Sequence, residues 1–148
     1  MEFRFVATLK VQFRDVDAMG HVNNAVYLHY LETARMEFYE QVFGTDGFRR
    51  FPYILAEVRV RYLHPAHLKD LLELGIRVSE VGRKSFRLEY LIRDAASGRV
   101  LCEAESVQVM YDYATQRSFE IPEEWRKVIE ARATVVSRDA ETSTGGSR

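Results

Sequence analysis

The chain has 148 residues, of which 47% are hydrophobic and 29% are charged. These values are typical of one globular domain with an ordinary core, and they leave no room for a second full domain. Lys and Arg total 21 against 22 Asp and Glu, so the net charge is -1. This balance argues against a basic surface that binds nucleic acid or an anionic membrane.

The cellular compartment is inferred from three absences. The N-terminal segment MEFRFVATLK alternates apolar and charged residues, unlike a signal peptide or a membrane anchor. No stretch of the sequence is long and apolar enough to span a bilayer. Cys102 is the single cysteine, so it forms neither an internal disulfide nor a multi-cysteine zinc site. We therefore expect a cytoplasmic protein.

The N-terminal third predicts a strand, a loop and a helix. Apolar and mostly polar residues alternate over positions 3 to 13, the period of a half-buried strand. The next segment, RDVDAMGHVNN, is rich in residues that favour turns and helix starts. Apolar residues then recur at helical spacing over positions 25 to 43. Asn23 or Asn24 is the expected N-cap, and Gly44 follows the expected end of this long helix.

Four further strands are predicted after the helix, because apolar residues recur at every second position in four segments. These segments are residues 58–62, 72–78, 86–92 and 107–111. The breaks VGRKS and DAASGR are short enough for hairpin turns, which predicts a mainly antiparallel sheet. Both apolar stripes are buried if this five-stranded sheet curls around the long helix, an arrangement of the α+β class.

The C-terminal region predicts a short helix and then a tail. Pro122 precedes EEWRKVIEAR, and proline is tolerated in a first helical turn that also carries Glu123 and Glu124. Beyond about Thr134 the sequence SRDAETSTGGSR has little apolar content. We predict one domain over residues 1–134 and a flexible tail over residues 135–148.

The segment FRDVDAMGHVNNAVYLHYLETAR resembles the signature of the 4-hydroxybenzoyl-CoA thioesterase-like branch of the hotdog superfamily. The signature has an aromatic residue after the first strand, two acidic residues, a Gly-His-Val-Asn-Asn turn and a tyrosine-rich helix. These features are Phe13, Asp15, Asp17, residues 20–24, Tyr27, Tyr30, Glu32 and Arg35. Weaker similarity in VRVRYLHPAHLKDLLEL, GRKSFRLEY and PEEWR extends the resemblance over roughly residues 5–130. Lys69 departs from it, since a glycine is common there.

The resemblance implies a hotdog fold and hydrolysis of an acyl-coenzyme A thioester to a carboxylic acid and free coenzyme A, without a cofactor. It also implies a homo-oligomer, a dimer or a tetramer, in which two sheets pair edge to edge and the active sites lie at the dimer interface. An acyl-carrier-protein thioesterase and a non-catalytic acyl-CoA-binding hotdog domain are the alternatives.

Thioester hydrolysis needs a nucleophile and a site that stabilises charge on the carbonyl oxygen, whereas a thiolate, with a thiol pKa of about 8.5, leaves without a strong acid. The start of the long helix offers unpaired N–H groups, so Asn24 and nearby amides form a candidate oxyanion site. Asp17 precedes this helix start and is the candidate nucleophile or general base. His21 either orients water or serves as a hydrogen-bonding scaffold.

The other reactive residues are expected to be structural. Asp15 is expected to shape the loop or to pair with Arg14 or Arg35. Cys102 lies in a strand-like run, LCEAESVQVM, and is expected to be a packed thiol. His64 and His67 have no third ligand at suitable spacing, so no metal site is predicted.

Substrate contacts are expected at two places. Tyr27 and His29, near the helix start, are candidates for the acyl pocket. The phosphates of coenzyme A need a local cationic patch on a chain of this net charge. Arg83 and Lys84, next to Ser85, are the best candidates, and the resembled family uses this turn for the nucleotide. The alternative for this turn is a solvated hairpin tip.

Overall fold

The structure, a computed structural model, describes residues 3–50 and 52–132. Within these ranges no helix is long and apolar enough to cross a membrane. The predicted tail, residues 135–148, lies outside the described residues, and the domain boundary stays a prediction. The strands are β1 (Arg4–Lys10), β2 (Tyr53–Tyr62), β3 (Leu71–Val81), β4 (Ser85–Asp94), β5 (Val100–Asp112) and β6 (Arg117–Ser118). The helices are α1 (Val26–Phe43), α2 (Gly47–Arg50) and α3 (Glu123–Arg132).

The five long strands form one antiparallel sheet in the order β1-β3-β4-β5-β2. The two-residue strand β6 pairs with the end of β5. Hairpin turns at VGRKS and DAASGR join β3 to β4 and β4 to β5, as predicted. The strands β1 and β2, which flank α1 in the sequence, lie at the two edges of this order.

The core lies between α1 and the inner face of the sheet. Side chains at alternating positions of β3 and β4 are buried, which confirms the predicted period. They pack in one cluster with the buried face of α1. The buried residues of α1 are Tyr27, Tyr30, Leu31, Ala34, Arg35, Phe38, Tyr39 and Val42. The spacing of these positions places them on one side of a 3.6-residue helix, so the sheet encloses that side.

The first predicted strand is too long. It was expected to reach residue 13, but β1 ends at Lys10 and Phe13 lies in a short 3-10 turn, where it is 83% exposed. The backbone N–H of Gln12 donates to Asp15 Oδ2 at 2.9 Å, and the N–H of Asp15 donates to Gln12 O at 2.9 Å. These local hydrogen bonds replace the strand ladder.

Two later strands begin earlier than predicted. The strand β2 starts at Tyr53 instead of residue 58, and β5 starts at Val100 instead of residue 107. The register of β2 against β5 shifts between Leu55 and Glu57. A β-bulge inverts the alternation of side chains on its two sides, which hides the period of β2 in the sequence.

The N-cap prediction for α1 is wrong by one or two residues. The N-cap is Ala25, without a side-chain cap bond. Asn23 instead forms a turn, since its Oδ1 accepts from the N–H of Ala25 at 2.9 Å and its carbonyl accepts from the N–H of Val26 at 3.0 Å. At the other end, Gly44 has a φ of +87°, as expected for a glycine that ends a helix.

A buried polar network crosses the core. Arg35 is 6% exposed and donates to the hydroxyls of Tyr53, at 3.3 Å, and Tyr90, at 3.1 Å. Tyr90 also bonds to Ser106, which donates to Gln108. Burial disfavours the charged guanidinium, but the tyrosine hydroxyls outweigh it and raise the pKa of Arg35 above its ordinary value. The sequence pattern does not reveal this network.

We expect Leu72→Ala to lower the free energy of unfolding by about 2–5 kcal/mol, since it opens a cavity in a packed core. Leu72 is fully buried, whereas its neighbour Leu71 is 47% exposed. Leu71→Ala is therefore the matched control, with an expected loss of less than about 1 kcal/mol. Urea denaturation measures both values, and equal losses would contradict the assignment of the core face.

Candidate active site

The segment between β1 and α1 folds back as a short hairpin. The N–H of Asn23 donates to Asp15 O, and the N–H of Asp17 donates to His21 O, both at 2.9 Å. Gly20 closes the turn with a φ of +83°, and its N–H donates to Asp17 O at 3.0 Å. Such a φ is unfavourable for other residues, so the glycine fixes the turn. We call residues 15–23 the Asp17 hairpin.

Side chains alternate between the two faces of the Asp17 hairpin. Val16 and Val22 form an antiparallel bridge, and Val22 is 4% exposed within the core. Successive side chains in a strand point to opposite faces. Asp17 and His21 therefore share the outer face, as cross-strand neighbours. The valines of the motifs DVD and HVN thus point inward, whereas Asp17 and His21 are exposed.

A third strand segment completes this small ladder. The N–H of Val22 donates to Ala66 O at 2.9 Å, and His21 forms an antiparallel bridge with His67. The two imidazole rings meet edge to face, with centroids 5.1 Å apart and planes at 86°. Sequence reasoning missed this contact, because the two histidines are far apart in the chain and no local pattern links them.

Asp17 combines a turn role with an exposed carboxylate. Its Oδ1 accepts from the N–H of Met19 at 2.9 Å, which is an Asx turn. Among the described residues Oδ2 has no hydrogen-bond partner, and the residue is exposed. One oxygen thus holds the turn while the other stays available to a ligand.

The Asp17 hairpin borders a pocket of about 200 Å³ at the start of α1, which we call the helix-start pocket. It is lined by His21, Val22, Asn24, Tyr27, Tyr62, Leu63, His64 and Pro65. Tyr62 donates to Asn24 O at 2.8 Å, and the rings of Tyr27 and Tyr62 meet at 5.1 Å between centroids. The structure thus brings three predicted site residues, His21, Asn24 and Tyr27, around one pocket, with Asp17 opposite His21.

The helix start presents two unpaired backbone donors. The N–H groups of Ala25 and Val26 bond to Asn23, and that of Leu28 donates to Ala25 O at 3.2 Å. The N–H groups of Asn24 and Tyr27 have no acceptor within residues 3–50 and 52–132. Two such donors at the positive end of a helix can stabilise an oxyanion.

Asp15 shapes the loop, as one of its two predictions stated. Its Oδ2 accepts from Tyr30 Oη at 3.0 Å, as well as from the backbone of Gln12. Burial, and then this carboxylate, raise the pKa of Tyr30. The other prediction is wrong, because no ion pair of Asp15 with Arg14 or Arg35 occurs among the described residues.

His29 does not share the helix-start pocket with Tyr27. It lines a separate pocket of about 540 Å³ between the end of β1, the 3-10 turn and the outer side of α1. Residues two apart on a helix point roughly 200° apart. In this structure the two residues therefore line different pockets, and the assignment of an acyl pocket stays a prediction.

The turn with Arg83, Lys84 and Ser85 lies far from the Asp17 hairpin in the same chain. It joins the end of β3 to β4, whereas the hairpin bonds to the segment that precedes the start of β3, through the N–H of Val22 and Ala66 O. The 11 residues of β3 span roughly 36 Å at 3.3 Å per residue. Arg83 pairs with Glu120 at 2.6 Å, and Lys84 donates to Ser118 at 3.5 Å.

Cys102 is a packed thiol, as predicted. Its side chain is fully buried, and burial raises the pKa of the thiol to about 12. A protonated, inaccessible thiol is a poor nucleophile. Within residues 3–50 and 52–132, no group of three or more His, Cys, Asp or Glu side chains is arranged to hold a metal ion.

Known proteins share this architecture. The sequence profile of the thioesterase-like superfamily matches residues 11–129. The long-chain acyl-CoA thioesterase FadM of Escherichia coli is 30% identical over 127 residues, which are 82% of this chain and 94% of FadM. A chloroplastic palmitoyl-acyl carrier protein thioesterase of Cuphea hookeriana is 31% identical over 110 residues, 69% of this chain and 26% of that protein.

A solved structure agrees closely in fold. The thioesterase of Thermus thermophilus, crystallised with coenzyme A and zinc, has a TM-score of 0.78 at 33% identity and covers 89% of this chain and 100% of its own. The curled sheet around α1 is thus the hotdog fold, and the protein is an enzyme of the thioester hydrolase class. The chain belongs to the thioesterase-like superfamily.

We expect Cys102 to resist a thiol reagent such as DTNB at about pH 8 in the native protein, because the thiol is buried and its pKa is raised. In urea it should react fully within minutes. Cys102→Ser should keep at least about half of the turnover of any substrate found. Two results would make Cys102 a candidate nucleophile again. One is rapid modification of the folded protein, and the other is loss of turnover in the serine variant without loss of stability.

Proposed function

We propose that the protein hydrolyses acyl-coenzyme A thioesters to a carboxylic acid and free coenzyme A, with Asp17 as the catalytic carboxylate. One observation carries the proposal. Asp17 pairs across the hairpin with His21, and His21 lines the helix-start pocket together with Asn24 and Tyr27, the two residues whose N–H groups have no acceptor among the described residues. The similarity to FadM and to the coenzyme A-bound Thermus thioesterase supports the same substrate class.

The reaction can follow two routes from this geometry. In both, the thioester oxygen accepts hydrogen bonds from the N–H groups of Asn24 and Tyr27, which stabilise its negative charge. In the first, an Asp17 oxygen attacks the carbonyl carbon and the C–S bond breaks; water then hydrolyses the resulting anhydride. In the second, Asp17 removes a proton from water, which attacks directly while His21 orients it. In the first route the departing thiolate takes a proton from solvent, and in the second it takes the proton that Asp17 removed from water, which restores the carboxylate.

Two further assignments belong to this proposal. The 4-hydroxybenzoyl-CoA branch is supported by the motif over residues 13–35, and the aromatic rings of Tyr27 and Tyr62 would suit a flat acyl group. A cytoplasmic location is supported by a single cysteine that is buried as a thiol. The alternative substrate, an acyl-carrier protein, is supported by the similarity to the Cuphea enzyme.

We also propose a dimer in which β2 pairs with β2 of a second copy. Among the described residues no strand pairs with the outer edge of β2, and Leu55 and Ile54 are each 40% exposed. An unpaired strand edge is a template for another strand. A two-fold axis through this edge makes the new pair antiparallel, so Tyr53 of each chain lies near the partner subunit's Tyr62.

This pairing would complete the site. Tyr53 is opposite Met110, whose N–H donates to Lys84 O at 2.8 Å, so the Arg83 turn lies at the Tyr53 end of the sheet. The helix-start pocket lies at the Tyr62 end. In the dimer the turn of one chain therefore approaches the helix-start pocket of the other, where it can contact the nucleotide of coenzyme A.

We expect Asp17→Asn to lower kcat at least about a hundredfold, the scale for loss of a base or nucleophile. The asparagine can still accept the N–H of Met19, so the turn and the melting temperature should persist. Asp17→Ala should lose kcat equally and also some stability. A steady-state assay over short, branched, aromatic and long acyl-CoAs measures the effect. Wild-type turnover in Asp17→Asn would show that another group is catalytic.

We expect the double substitution Arg83→Ala, Lys84→Ala to raise KM for an acyl-CoA roughly tenfold with little change in kcat, because the phosphates are remote from the reacting carbonyl. The same acyl group on pantetheine should show an unchanged KM. Arg117→Ala, on the neighbouring β6, is the matched control for nonspecific charge. Equal effects on both substrates would mean that the turn is structural, and no effect would mean a solvated hairpin tip.

A further inference from the structure

The outer face of the Asp17 hairpin continues onto the segment that carries His67. We propose that His67 is a positioning residue, which holds the ring of His21 beside Asp17. The inference rests on the proposed function, because it assumes that Asp17 and His21 border the reacting carbonyl. His67 itself does not line the helix-start pocket, so it acts through His21.

Three strand segments place these side chains in one row. Asp17 is opposite His21 across the hairpin, and His21 is bridged to His67 on its other side. Side chains at directly opposite positions lie about 4.5–5.5 Å apart on one face. The centroids of the two imidazole rings are 5.1 Å apart, so the rings are in direct contact. The row thus runs Asp17, His21, His67.

His67 is itself held from the far side. Its backbone N–H donates to Asp70 Oδ2 at 2.8 Å, and its Nδ1 lies 3.7 Å from the same oxygen. The N–H of Asp70 donates back to His67 O at 3.1 Å. The preceding residue, Ala66, is fully buried. The two hydrogen bonds anchor the backbone of His67, and its ring, which is 56% exposed, lies beside the Asp70 carboxylate and against His21.

His21 needs such a neighbour, because it is exposed and its backbone contacts alone do not fix its side-chain torsions. An imidazole that rotates freely spends only part of its time facing Asp17 and the pocket. A misplaced group near the reacting centre costs turnover more than binding. The edge-to-face contact depends on a flat ring, not on the nitrogens of His67. Phenylalanine at position 67 should therefore preserve the positioning, whereas alanine should not.

We expect His67→Ala to lower kcat roughly tenfold with KM changed less than about twofold, and His67→Phe to retain at least about half of wild-type kcat. Leu68→Ala, at an exposed position of the same loop, is the matched control and should behave as wild type. Melting temperatures check that both His67 variants fold. Wild-type kcat in His67→Ala, or equal losses in His67→Ala and His67→Phe, would overturn the positioning role.

A readout without substrate separates this inference from the proposed function. In two-dimensional NMR spectra, the ring protons of His21 should move to the shifts of an exposed histidine in His67→Ala and remain dispersed in His67→Phe. Unchanged His21 signals in His67→Ala would overturn the inference, even if the enzyme hydrolyses acyl-CoA. If the His21 signals shift in His67→Ala but the wild-type protein hydrolyses no thioester, the contact between the two histidines is supported and the proposed function is overturned.

Discussion

The burial of α1 against the inner face of the sheet determines where the candidate catalytic groups lie. Tyr27 at the helix start packs on Tyr62 at the end of β2, and Tyr39, about three turns later, packs on Tyr53 at its beginning. The helix and the edge strand therefore run in opposite directions. Because these aromatic side chains pack together, the helix start cannot move away from the Tyr62 end without opening the core. The Asp17 hairpin directly precedes the helix start, so the position of the helix start also fixes the position of the hairpin.

The same constraint separates the two predicted halves of the substrate site. The helix-start pocket is at one end of the sheet and the turn with Arg83 and Lys84 is at the other. A strand of ten residues lies between the two ends, and no side chain spans that distance. In the proposed dimer the two β2 strands pair antiparallel, so the Arg83 turn of one chain lies at the same end as the helix-start pocket of the other. The exposed apolar side chains on β2 would then be covered by the same contact.

Much of the fold could be predicted from periodicity. The strands β3 and β4 are buried at every second residue, and α1 carries its apolar stripe on one side. The period of apolar residues in these segments therefore predicts both the element type and the buried face. The bulge near Leu55 breaks this pattern, and the start of β2 could not be found. The turn at Gln12 and Asp15 was also missed, because two local hydrogen bonds compete with the strand there.

The candidate site was predictable only in part. The motif over residues 13–35 made Asp17, His21 and Asn24 the candidates, since these residues are close in the sequence. The contact of His21 with His67 and the buried partners of Arg35 depend on pairing between distant segments, which single-sequence patterns do not contain. Tyr27 and His29 are only two residues apart in the sequence, which suggested that they line one pocket. In the helix their side chains point in different directions, so they line different pockets.

Mixed dimers test the shared site most directly. Chains with Asp17→Asn and chains with Arg83→Ala, Lys84→Ala would be refolded together in equal amounts, and kcat/KM would be measured below saturation. If each site combines Asp17 of one chain with the turn of the other, half of the intact Asp17 groups face an intact turn, and roughly a quarter of wild-type activity returns. If both elements serve one site within a single chain, the mixture should reach only about a twentieth of wild-type activity, which would contradict the account.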